Sequence, residues 1–143
     1  MTDADFIIAL MKTESDAVGF IPAPAIRNRW IPLGRYIIQH DRHGRRRGYL
    51  LHGPPRSGQP LYVHQCVIDV DHRLRGYAAL AIRTLVQRGL HAHCSRIRLT
   101  CAHRLAANDF WRSQNFNSIA AKPGGDRRGD LLIVYELQLP QKQ

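Results

Sequence analysis

Apolar and polar positions along the chain fall into two rhythms, one helical and one strand-like. Near the start, Phe6, Ile7, Leu10 and Met11 recur at helical spacing behind acidic residues suited to a helix N-terminus, which predicts a helix over 3–12. The proline-rich stretch "GFIPAPAIRNRWIPLG" predicts a loop holding a short helix at 23–30. Two β-prone runs, 35–40 and 48–52, enclose a polar turn containing Gly44 and predict a hairpin. After the turn-like "PPRSGQP", the run "LYVHQCVIDV" (61–70) is rich in β-branched and aromatic residues, as a buried strand is.

From there strands and helices alternate. Ala79, Ile82, Val86 and Leu90 predict one buried face of a helix, with Arg83, Gln87 and Arg88 turned away and Gly89 near its end. "RIRLTC" (96–101) alternates as a strand, and "RLAANDFWRSQNF" (104–116) is a second amphipathic helix leading into the short strand "SIAA". "PGGDRRGD" reads as a turn, and "LLIVYELQL" as a long final strand. This order predicts an α/β sandwich, a mixed sheet covered by helices, built as one domain over 1–143.

Composition narrows the class. No apolar run approaches the roughly 20 residues that cross a bilayer, so no membrane partner is expected. Asp3 and Asp5 stand where a signal peptide would have lysines or arginines, and Cys66, Cys94 and Cys101 are odd in number without CxxC spacing. Reduced thiols and a cytoplasmic location are the expectation. Charge is the unusual quantity: 21 Lys and Arg against 11 Asp and Glu give +10 and a pI near 10.4. Such a field attracts polyanions, whether nucleic acid, acidic protein or a phosphorylated cofactor, without choosing among them.

The candidate chemistry sits in "VDHRLRGYAALAIRTL" (70–85). A strand, a short loop and a helix starting near Gly76 would gather unpaired backbone N–H groups at one spot, with the positive end of the helix dipole behind them. Gly76 and Ala78 would let an anion approach the backbone, while Arg73 and Arg75 bring full charge alongside. Physically this is a pyrophosphate cradle.

The spacing Arg73-x-x-Gly76-x-Ala78 resembles the coenzyme A signature of the GNAT superfamily of N-acetyltransferases. The surroundings are similar too: the strand before it, the amphipathic helix after it, "RIRLTC", and "AANDFWRSQNF", which resembles the superfamily's fourth-helix pattern. The hairpin "GRYIIQ…GYLLHG" stands where these proteins have their second and third strands, so the likeness runs from about residue 3 to 139. It implies a mixed, mostly antiparallel sheet splayed between the family's fourth and fifth strands and flanked by helices, with the family's first strand absent or short. It also implies acetyl-CoA or another acyl-CoA as donor and no metal. The pyrophosphate would lie on the loop Arg73, Leu74, Arg75, Gly76, Tyr77, Ala78, and pantetheine along Cys66, Val67 and Ile68. The activity implied is direct acyl transfer to the amine of an unnamed acceptor.

Alternate strand positions share a face, which puts Tyr62, His64 and Cys66 in one row. Relatives place a histidine or glutamate at the positions matching Tyr62 and His64. His64, whose ordinary pKa is near neutrality, is therefore the candidate base, and Tyr62 the second catalytic candidate. The plainer reading of His64 is a half-buried strand residue satisfied by a neighbour. Where relatives often carry a tyrosine that protonates the leaving thiolate, this chain has Trp111, whose indole N–H donates a hydrogen bond but no proton. Tyr77, His103 or water are the alternatives, and Trp111 reads equally as core. Arg104 stands where the family has an asparagine, so that residue's cofactor role is not carried across to nearby Asn108.

Other signals carry less. "HAHC" (91–94) crowds His and Cys at a helix end with no second cluster, which favours a simple connection over a metal site. The run "HDRHGRRRG" reads as a solvated hairpin tip or, through Arg42, Arg45, Arg46 and Arg47, as a contact surface for nucleic acid or an acidic acceptor. Two alternative functions remain: a GNAT-fold protein that binds or modifies nucleic acid, and a degenerate CoA-binding scaffold. Oligomeric state, a homodimer included, stays open at this stage.

Overall fold

A computed structural model describes residues 1–124 and 129–141. Its strands are hydrogen-bonded in the order β1-β2-β3-β4-β6-β5, a six-stranded, mostly antiparallel sheet with helices on its flanks. The chain divides into two compact units, Met1–Pro54 with Val63–Gln87, and Pro55–Tyr62 with Arg88–Gln143. The elements are α1 (Asp3–Thr13), α2 (Ser15–Val18), α3 (Ala23–Ala25), β1 (Tyr36–His40), β2 (Arg46–His52), β3 (Pro60–Ile68), α4 (Tyr77–His91), β4 (Arg96–Ala102), α5 (Ala107–Ser113), β5 (Asn117–Pro123) and β6 (Leu131–Gln138). The expected order of elements is the observed one.

In the first unit, α1 opens on a capping box: the Asp5 amide donates to the Thr2 hydroxyl (3.1 Å) and the Thr2 amide to the Asp5 carboxylate (3.2 Å). Ala4, Ile7, Leu10 and Met11 then face inward and form one core with Ile26, Tyr49 and Val67. α3 runs on into a π-helical turn, Ile26–Trp30, in which the Arg29 guanidinium lies 4.6 Å from the Trp30 ring centre. The β1–β2 hairpin closes on Asp41, whose carboxylate accepts from the amides of His43 (2.8 Å) and Arg45 (3.0 Å), with Gly44 left-handed at φ 77°. β2 and β3 pair antiparallel from Gly48↔Ile68 to His52↔Val63, and only glycine fits opposite Ile68: a Cβ on Gly48 would stand 2.7 Å from the Val67 carbonyl oxygen.

α4 departs from expectation in its facing. The buried residues are Ala81, Ile82, Leu85 and Gly89, while Ala79, Val86 and Leu90 are only partly covered. Gly89 stands near the helix end, as expected; in the second unit a Cβ there would meet Leu139 at 2.8 Å and Leu61 at 3.5 Å, so the missing side chain is a packing choice. The helix ends two residues later in a Schellman motif: His93 is left-handed (φ 60°), and the amides of His93 and Cys94 donate back to the carbonyls of Leu90 and Gly89. The "HAHC" tract is therefore a helix cap, with Cys94 buried.

In the second unit the first residues of β3 run parallel to β4, Pro60↔Arg96 to Tyr62↔Arg98, and β6 is flanked by β4 and β5, both antiparallel. The helix expected over 104–116 is shorter. Asn108 holds the connection before it, its amide group donating to the carbonyls of Ala102 (3.0 Å) and Leu105 (2.6 Å). A second Schellman motif closes α5, with Asn115 left-handed (φ 68°) and the Phe116 amide donating to the Trp111 carbonyl. The turn expected over 123–130 lies partly outside the described residues; its ends are joined by the Gly124 amide donating to the Asp130 carbonyl (2.6 Å).

Candidate active site

The loop leading into α4 has a defined shape. Arg73 is extended (φ −70°, ψ 161°), Leu74 is left-handed (φ 62°), and Gly76 is again left-handed at φ 86°. A Cβ at Gly76 would meet nothing within 4 Å, so the space in front of this backbone is open. Among the described residues none accepts a hydrogen bond from the amides of Gly76, Tyr77, Ala78 or Ala79. These are the orphan donors of a helix N-terminus, grouped with the positive end of its dipole.

The two loop arginines differ. Arg73 is engaged within the first unit: its guanidinium pairs with Glu14, at the junction of α1 and α2, and its Nε donates to the Ile68 carbonyl at 3.2 Å. It clamps the end of β3 and the turn to the helical segment. Arg75 is exposed and makes no ion pair among the described residues.

β3 supplies the rest. Leu61, Val63, Gln65 and Val67 are buried, Tyr62 and His64 exposed, and Cys66 partly covered, as the expected row requires. The ladder itself is interrupted at that row. Leu51 pairs with Gln65 and His52 with Val63, which leaves His64 as the extra residue of a β-bulge. Partial desolvation and, secondarily, the charge of Arg35 hold the His64 pKa below its usual value, so the imidazole is neutral at neutral pH. Burial pushes the Cys66 thiol up to about 12, which keeps it protonated and unsuited to act as a nucleophile. Cys66, Val67 and Ile68 pair with β2 on one side. Among the described residues no strand pairs with them on the other edge.

In the second unit, the Tyr62 hydroxyl accepts from Arg98 (3.3 Å), and Arg98 is in turn gripped by the buried Glu136 (2.7 and 2.9 Å). Trp111 is buried edge-on between Phe110 (5.0 Å) and Phe116 (5.4 Å), a core residue. Arg104 pairs with Asp130 at 2.9 Å. Asn108, buried, accepts from the Tyr135 hydroxyl at 2.8 Å, and both line a cleft of about 340 Å³ with His103 and Arg112. Tyr77 lies in the first turn of α4, partly buried.

The hairpin arginines are largely spoken for. Arg46 pairs with Asp3 (2.7 Å) and Arg47 with Asp41 (3.0 Å) and Asp69 (3.9 Å), while Arg42 donates to the His43 ring. Of the run read as a polyanion contact, Arg45 alone keeps its guanidinium unengaged among the described residues. No helix among the described residues is long and apolar enough to cross a membrane.

Comparison with known proteins bears on the same segments. The model of the acetyltransferase (GNAT) family matches residues 4–116, which include the loop, β3 and α5. Among solved structures, Ard1 from Thermoplasma volcanium superposes with a TM-score of 0.82 at 13% identity, covering 97% of this chain and 93% of that one. Ribosomal-protein-alanine N-acetyltransferase from Brucella melitensis gives 0.78 at 15% identity, with 96% and 94% covered. An aminoglycoside 6'-N-acetyltransferase complexed with coenzyme A gives 0.79 at 11% identity, with 98% and 93% covered. At such identities the likeness is one of fold. No curated protein sequence matches the chain significantly.

Proposed function

Because the chain belongs to the GNAT acetyltransferase family, we propose that it transfers an acyl group, in the first instance acetyl, from coenzyme A directly to an amine. The observation that carries this reading is the open row of amides at Gly76–Ala79 behind a loop with Arg73-x-x-Gly76-x-Ala78 spacing. A pyrophosphate there would receive backbone N–H groups, the helix dipole and the Arg75 fork, while Arg73, held by Glu14 and Ile68, fixes the loop rather than touching the phosphate. The free edge of Cys66–Ile68 offers main-chain groups to the amides of pantetheine, much as an added strand would take them. The coenzyme A bound by the aminoglycoside enzyme of the same fold supports this choice of donor.

The chemistry follows from the groups present. The amine nitrogen attacks the thioester carbonyl, a C–N bond forms and the C–S bond breaks. His64, held neutral, takes the ammonium proton directly or through a water. With Trp111 in the aromatic cluster, the departing thiolate takes its proton from water, which a good leaving group tolerates. Tyr62 is held by Arg98, which Glu136 grips in turn.

Acetyl-CoA binding by thermal shift tests the reading. At a hundred-fold excess over Kd the wild type should gain about 2.7 kcal/mol of stability. Gly76→Ala and Gly76→Glu share the backbone strain of φ 86°, so the difference between them isolates the carboxylate. Gly76→Glu should bind at least ten-fold more weakly than Gly76→Ala. Absence of any shift in the wild type, or equal binding by both variants, would overturn the assignment.

A further inference from the structure

The first unit has few carboxylates to spare. Asp3, Asp5, Glu14, Asp41 and Asp69 are each paired with an arginine of the same unit. A second interaction engages Asp16, which leaves Asp71 without a described cationic partner. A polycationic acceptor would find almost no free negative charge near His64. An arginine near it is, by contrast, unengaged.

Arg35 directly precedes β1, and its carbonyl accepts from the His52 amide at 3.0 Å. His52 is opposite Val63, and the extra residue of the bulge is His64. Arg35, just ahead of β1, thus lies level with His52 on β2 and the bulge at His64 on β3, the outer two backbones two strand spacings or about 10 Å apart. That is within the combined reach of an arginine and a histidine side chain. The Arg35 guanidinium is partly buried and has no hydrogen-bond acceptor or ion-pair partner among the described residues. Its charge is felt at the His64 ring. A solvated arginine at the start of a strand would be unremarkable. What distinguishes this one is its alignment with the bulge that re-aims the candidate base.

We propose that Arg35 is the anion clamp of the acceptor site, so that the acceptor carries a carboxylate within a few atoms of its reacting amine. The inference rests on the acyltransferase reading and specifies its substrate class. A guanidinium fork holds a carboxylate in two parallel hydrogen bonds, which would orient the neighbouring amine toward His64. Carboxylate and amine on one molecule describe both a free amino acid and an acidic residue beside a peptide N-terminus.

Product-like probes separate these sources without requiring turnover. The protein, saturated with coenzyme A, is titrated with N-acetylglycinate, with N-acetylglycinamide, and with an N-acetylglycyl-aspartyl peptide amidated at its C-terminus. The His64 ring resonance, assigned through His64→Gln, is followed by NMR. Carboxylate bound at Arg35 offsets the arginine's charge, so His64 should titrate at higher pH, with the amide at least ten-fold weaker. The carboxylate probe that saturates first identifies the source. In Arg35→Ala the effect should vanish, and in Arg35→Lys it should persist in weakened form. Equal responses to carboxylate and amide, or an unchanged response in Arg35→Ala, would sink the clamp while leaving the donor reading intact. Failure to bind acetyl-CoA would sink the reading beneath it, whatever the carboxylates do.

Discussion

Leu74 pays for the shape of the anion loop. It holds φ 62° with its side chain fully in solvent. For a residue with a Cβ the left-handed conformation costs about 1–2 kcal/mol. No burial is lost when this side chain is removed, so Leu74→Gly should recover that strain. Against it stands the greater freedom of glycine in the unfolded chain, about 0.5–1 kcal/mol. The net expectation is a gain of about 0.5–1 kcal/mol, a rise in Tm of roughly 2–3 °C for a chain of this size. Urea unfolding checks it: the midpoint should rise with the slope unchanged, since the surface exposed on unfolding is the same. Acetyl-CoA affinity should stay within about three-fold, because the backbone and not the leucine side chain shapes the cradle. A lower midpoint would refute the reasoning, showing either that the side chain is packed or that the Arg73–Glu14 clamp does not set the conformation.

Three further outcomes are expected. Gly48→Ala pushes a methyl against the Val67 carbonyl, which a rotamer change cannot relieve, and should cost about 1–3 kcal/mol in urea unfolding. In a pH–rate profile of acyl transfer, the acid limb should fall below 6.5 because His64 loses its proton more readily than usual; Arg35→Ala should move that limb upward, and an unmoved limb would separate the two residues. Hydrogen bonds from the hairpin amides and Arg47 hold Asp41 at about 2, so its stabilisation is complete above pH 4 and is lost as pH falls from 3.8 toward 2. Acid unfolding of Asp41→Asn should show a shallower dependence across that window.

Periodicity located the elements because each carries its own local signal. It failed where the answer depends on what arrives from elsewhere in the chain. The face of α4 is set around Ala81, Ile82, Leu85 and Gly89, and the value of a glycine at 89 is visible only once Leu139 packs against it. The loop spacing singled out Arg73, but its ion pair with Glu14, 59 residues away, has no local signal in that spacing. The bulge at His64 arises from the register of β2 against β3, and nothing in "LYVHQCVIDV" announces it. Trp111 is the core residue that one of its two readings expected, whereas the contact of Asn108 with the Tyr135 hydroxyl spans 27 residues and has no local signal.

The aromatic cluster around Trp111 has a practical consequence. The chain has two tryptophans, one buried between phenylalanines in the second unit and one, Trp30, stacked with Arg29 in the first. Each compact unit therefore carries its own fluorophore, in an apolar setting for one and beside a cation for the other. Replacing either by phenylalanine leaves a single-colour reporter, and the two unfolding curves, laid over each other, would show whether the halves melt as one cooperative body or in sequence.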